Sequence, residues 1–122
     1  MTNKISPGRT TLLAPLFGSP LREWILLYIM TRGEAYAREL AAELGFALRA
    51  VQRQLAMLEE GGVVYSRMRG RTRLYSLNPR YPFQRELGAL LEKVLRALPD
   101  DERDRLYTPR LRPRRSGKPL RL

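Results

Sequence analysis

Arg38-Glu39-Leu40-Ala41-Ala42-Glu43-Leu44-Gly45-Phe46, followed by Ala50-Val51-Gln52-Arg53-Gln54-Leu55-Ala56-Met57-Leu58-Glu59-Glu60-Gly61-Gly62-Val63-Val64, is the stretch that decides the fold. Ala37, Leu40, Ala41 and Leu44 recur at spacings of three and four, so one face of a helix over 36–44 is apolar. Gly45 stops that helix, and Phe46-Ala47 leads into another from Leu48 to about Glu60, with Val51, Leu55 and Leu58 pointing inward. Gly61-Gly62 terminates it.

Outward from this pair the pattern stays regular. Ser19-Pro20 combines an N-cap hydroxyl with proline at the first helical position and predicts an earlier helix over Leu21 to Thr31. That segment (Trp24, Ile25, Leu26, Leu27, Tyr28, Ile29, Met30) is apolar nearly all round, which predicts burial, and Gly33 ends it. After Gly62 the period changes. Val63-Val64-Tyr65-Ser66-Arg67-Met68-Arg69 and Arg71-Thr72-Arg73-Leu74-Tyr75-Ser76-Leu77 flank Gly70 as a hairpin, with Tyr75 and Leu77 sealing the core. Asn78-Pro79-Arg80-Tyr81-Pro82 breaks the chain before a last helix, Phe83 to Leu98. Its stripe is Leu87, Leu90, Leu91, Val94, Leu95 and Leu98.

The expected organisation is an extension over 1–17, one domain over 18–98 and a charged, flexible tail over 99–122. Leu12, Leu13, Leu16 and Phe17 of the extension can pack on the domain. The tail is first acidic (Asp100, Asp101, Glu102, Asp104) and then basic (Arg110, Arg112, Arg114, Arg115, Lys118, Arg121), and disorder is expected after about Thr108. The fold class is mainly α with a small β-hairpin.

Charge and composition narrow the function. The chain of 122 residues carries +11. Residues 1–62 hold seven basic and six acidic side chains, net +1, whereas 63–122 hold sixteen and six, net +10. Twenty of the 23 basic residues are Arg, whose planar fork suits phosphate and guanine. Such segregation points to a polyanionic partner. There is no Cys and no His, so disulfides, thiolate metal sites, a cysteine redox switch and the commonest general base are all missing. No catalytic residue, metal ligand or cofactor is assigned, and an enzyme is not expected. No stretch reaches the ~20 apolar residues of a membrane span, and the N-terminus lacks a signal-peptide core, so the cytoplasm is the expected location and a membrane partner is not expected.

The order helix, helix, Gly turn, helix, Gly-tipped hairpin, helix is that of a winged helix-turn-helix. The stretch quoted first, with Arg69-Gly70-Arg71-Thr72-Arg73-Leu74-Tyr75-Ser76-Leu77-Asn78-Pro79, resembles the ArsR-like winged-helix regulators over about 17–98. Arg80 through Leu91 also resembles a subgroup in which the domain accompanies a nucleotidyltransferase. The resemblance implies a homodimeric regulator of transcription that binds double-stranded DNA. Ala47, Leu48, Arg49, Gln52 and Arg53 of the third helix would then enter the major groove. Arg67, Arg69, Arg71 and Arg73 around Gly70 would hold the backbone or a narrow minor groove, and their alternation predicts that all four share one face of the wing. Ala47 stands where the resemblance leads one to expect Ser or Thr, so that helix lacks a side-chain cap and its leading edge is apolar. Trp24, Leu87, Leu90, Leu91, Val94, Leu95 and Leu98 are expected at a dimer interface, and a two-fold dimer favours a palindromic site. Two other uses of the same surface stay open: docking a nucleotidyltransferase, or binding RNA through the cationic wing and tail.

Overall fold

The computed structural model describes residues 12–107. Its elements are α1 (Ala14–Phe17), α2 (Pro20–Arg32), β1 (Ala35–Tyr36), α3 (Ala37–Leu44), α4 (Leu48–Glu60), β2 (Val64–Arg69), β3 (Thr72–Leu77), α5 (Gln84–Ala97) and α6 (Asp100–Tyr107). The fold is a winged helix-turn-helix, mainly helical with one small antiparallel sheet of order β1-β3-β2.

Helix α2 is the hub. Ser19 caps it by accepting from the Arg22 amide, and Pro20 takes the first turn, where its missing N–H costs nothing. Leu21 and Trp24 through Ile29 are all buried, because α1, α3, α4, α5, α6 and the sheet pack around it. Leu40 and Leu44 of α3, Val51, Leu55 and Leu58 of α4, and Val64 join the same core, with Tyr75 and Leu77 partly buried against it. Gly45 makes the turn between α3 and α4 at φ 81°, in the left-handed region glycine enters without a Cβ clash, and its amide returns to the Ala41 carbonyl. Asn78 closes the base of the hairpin: its amide donates to the Val63 carbonyl and its side-chain nitrogen to the Gly62 carbonyl, both at 2.9 Å.

Two expectations are corrected. The residues before α3 form a short strand, Ala35 pairing with Tyr75 and Tyr36 with Leu74. Two residues are too few for an alternating pattern to register in sequence. The acidic segment after Pro99 is the helix α6, which docks on α2 through buried Leu106. Arg32 at the end of α2 donates to the carbonyls of Leu106 and Arg105, so α2's last side chain also closes α6. The basic residues from Arg110 onward, and residues 1–11, lie outside the described residues.

The stripe on α5 packs inward. Leu91, Val94, Leu95 and Leu98 are buried in this chain's own core, as is Trp24. Little of their surface is left for a contact with a second subunit. Of the seven residues expected at a dimer interface, half-buried Leu87 and exposed Leu90 keep the most surface, and Phe83, just before α5, is also exposed.

Candidate nucleic-acid interface

Helix α4 presents the residues its period predicts. Val51, Leu55 and Leu58 face inward, so Arg49, Gln52, Arg53 and Ala56 are exposed, with exposed Ala47 before them and Leu48 half-buried. Ala47 makes no side-chain cap, as its chemistry requires. Among the described residues, the side chains of Arg49, Gln52 and Arg53 have no hydrogen-bond or ion-pair partner. They stand open to an external one.

The wing divides its arginines. β2 and β3 pair as Ser66 with Tyr75, Arg67 with Leu74, Met68 with Arg73 and Arg69 with Thr72. Directly opposed residues share a face. The pair numbers always sum to an odd value, so an odd-numbered residue of β2 shares its face with an even-numbered residue of β3. Arg67 and Arg69 therefore lie on one face, with Leu74, and Arg73 lies on the other, with Ser66, Met68 and Tyr75. Arg71 is in the two-residue turn with Gly70, whose φ is 65°. The expectation that all four share a face fails because a two-residue loop shifts the parity between the strands.

The two faces meet different surroundings. On the first, Glu34 accepts from Arg67 at 3.0 Å and lies 4.0 Å from Arg69. Both pairs are well exposed, so each is worth little in stability, but the carboxylate occupies two cations a phosphate would otherwise meet. Beneath them Arg32, Tyr36 and Glu39 line a polar cleft of about 480 Å³. There Glu39 accepts from the Tyr28 hydroxyl at 2.9 Å and from the Tyr36 amide at 3.1 Å. Burial first, then the Glu39 carboxylate, push the Tyr28 phenol well above its ordinary range, so it stays a donor.

The second face turns toward α4. Glu59 accepts from the Ser66 hydroxyl at 2.6 Å, and Ser66 in turn accepts from Arg73 at 3.1 Å. Tyr75 lies beside them, its phenol raised by burial and by Glu59 against the opposing pull of Arg73. Between this face, the first turn of α3 and α4 lies an open cleft of about 330 Å³ lined by Arg38, Gln52, Arg71, Arg73 and Tyr75. It contains no carboxylate in its lining. The cleft joins the outer face of α4 to the tip of the wing in one cationic surface.

Arg38, Glu34 and the Glu59–Ser66–Arg73 chain were not singled out in sequence. Arg38 had a signal, since it lies off the apolar face of its helix. Glu34 had none, being a lone acid before a two-residue strand.

No family model matches the chain, and no curated protein does. Solved structures do match. A cysteine-to-serine mutant of Lactococcus lactis ZitR is 22% identical, over 84% of this chain and 76% of that one, with TM-score 0.51. A possible transcriptional regulator for arsenical resistance is 34% identical, over 75% of this chain and 88% of that one, with TM-score 0.49. A double mutant of Lactococcus lactis ZitR is 20% identical, over 70% of this chain and 66% of that one, with TM-score 0.49. The chain thus spans 66% to 88% of the length of these structures. Among the described residues, no helix is long and apolar enough to cross a membrane.

Proposed function

We propose that this chain, a winged helix-turn-helix protein of the ArsR-like kind, binds double-stranded DNA as a regulator of transcription. The observation that carries the reading is the continuous cationic surface from Arg49, Gln52 and Arg53 across the cleft to Arg71 and Arg73. A helix fits the major groove, and a hairpin beside it reaches the flanking backbone. Arg49 and Arg53 are one turn apart, at the spacing that lets both reach base edges, with Gln52 between them. Leu48 and Ala47 offer an apolar leading edge to thymine methyl groups. Such a regulator works on the genome, in the cytoplasm.

The reading includes a homodimer, which sets two α4 helices about one DNA turn apart. Since most of the α5 stripe is spent in the core, exposed Leu90 and half-buried Leu87 of α5, with exposed Phe83 just before it, are left for pairing. Light scattering of the full chain tests this: a dimer that becomes a monomer in Leu90→Glu supports it, and a monomeric wild type removes it.

Base reading is tested separately. Arg49→Ala or Arg53→Ala should weaken binding at the preferred site by ~1–3 kcal/mol and relax sequence preference there. Equal losses on preferred and random duplexes contradict base reading.

A further inference from the structure

We infer that the cleft between α3, α4 and the wing is a phosphate clamp, closed by Arg38, Arg71 and Arg73 with Gln52 at its α4 wall. It rests on the DNA reading and deepens it, because it assigns Arg38 of α3, and the wing tip, to one and the same backbone phosphate.

Three observations converge on an anion. Arginines reach the cleft from two separate parts of the chain, Arg38 from α3 and Arg71 and Arg73 from the wing, and no acidic residue lines it. Among the described residues the Arg38 and Arg71 side chains have no ion pair or hydrogen bond, so their guanidinium donors await an outside acceptor. Arg73 is held in place by Ser66, itself anchored by Glu59, so one wall of the clamp is built before a ligand arrives. Glu59 meets Arg73 only through the Ser66 hydroxyl and leaves the rest of its fork available.

The setting favours a tetrahedral phosphate. Arg38 sits in the first turn of α3 beside Glu39, whose carboxylate is taken by Tyr28 and the Tyr36 amide and lines the other cleft, not this one. Arginine forks bind phosphate through paired N–H donors, and the Gln52 amide supplies a further neutral donor. A phosphodiester seated here would touch α3, α4 and the wing at once, and so fix the register of α4 in the groove. Phosphate contacts of this kind position a protein without reading sequence.

A duplex and a free phosphorylated small molecule share this chemistry, and two measurements separate them. The first is the salt dependence of duplex binding by the full chain, comparing wild type with Arg38→Ala and Arg38→Lys. Losing one phosphate contact should flatten the slope of log K against log salt by about 1. The loss should be equal on preferred and random sequences, and Lys should restore the slope while leaving some affinity lost, because it brings the charge without the fork. Arg38 is exposed, so the variants are expected to fold. The second is an amide NMR titration with inorganic pyrophosphate, following Arg38, Gln52 and residues 71–73, in wild type and Arg38→Ala. Shifts in wild type that vanish in the variant support the clamp.

The outcomes are distinct. If wild type binds duplexes and Arg38→Ala keeps the full slope, the clamp is wrong and the DNA reading stands. If wild type ignores duplexes but pyrophosphate moves the cleft amides, the clamp stands with a free anion as its ligand and the DNA reading falls. If neither ligand binds, both are overturned.

Discussion

Glu34→Gln removes one carboxylate and leaves the shape of the wing's base intact. Glu34 is the acid that meets Arg67, at 3.0 Å, and Arg69, at 4.0 Å. All three side chains are more than two-fifths exposed, so each pair contributes ~0–1 kcal/mol and the fold should lose less than about 1 kcal/mol. The effect on DNA should be larger and of opposite sign. A phosphate approaching Arg67 or Arg69 must displace the carboxylate, and with glutamine it need not. Each arginine that gains a phosphate adds about 0.9 to the salt slope of a B-DNA complex, so the slope should steepen by roughly 1 to 2. Between ~200 and ~50 mM salt that slope corresponds to about 3- to 12-fold more gain in affinity than wild type shows. Fluorescence anisotropy of a labelled duplex across that salt range measures it, with urea denaturation as the stability control. Weaker binding by the variant, or an unchanged slope, would mean that Glu34 aims the two arginines and does not occupy them.

The split wing makes a second forecast: Arg73→Ala should reduce duplex affinity and salt slope more than Arg67→Ala, whose partner is already Glu34, and equal losses in the same assay would erase the distinction between the faces. Leu106→Ala should destabilise the domain by ~2–5 kcal/mol in chemical denaturation, the cost of truncating a fully buried leucine, whereas a freely hanging tail would show almost none. Glu23 is buried and accepts from the Leu13 amide at 3.0 Å, and burial raises its carboxyl above the ordinary value. Folding a raised acid favours its protonated form, so this contribution is fully present below the unfolded carboxyl pKa and is lost as pH rises through the higher folded value. Glu23→Gln should therefore be more stable than wild type at neutral pH and flatten the acid side of the stability curve. A variant less stable at pH 7 would show that the charged bond to Leu13 outweighs the burial.

Helix ends and core positions were legible because each has a local cause. Ser19-Pro20, Gly33, Gly45 and Gly61-Gly62 mark termini by their own backbone chemistry, and the apolar periods of α3 and α4 identify both the buried side and, by subtraction, the exposed Arg49, Gln52 and Arg53. What sequence missed depends on partners far along the chain. The faces of Arg67 and Arg73 follow from a strand register set by the length of the turn, not from alternation within either strand. Helix α6 has too little apolar content to show a stripe, and its place rests on Leu106 and on the reach of Arg32 from more than seventy residues away. The α5 stripe is apolar in sequence, but that its cover includes this chain's own α2 follows only from the fold. Arg38 became a candidate only when folding brought it beside residues 71–73.

One surface, running from α4 across the cleft to the wing tip, is proposed to meet duplex DNA. An amide NMR titration of the full chain with a duplex of about two helical turns tests it most directly. Shifts should concentrate at Arg38, at residues 48–53 and at 71–73, with α6 unmoved. Shifts centred on α6, or none at salt low enough for non-specific binding, would contradict it.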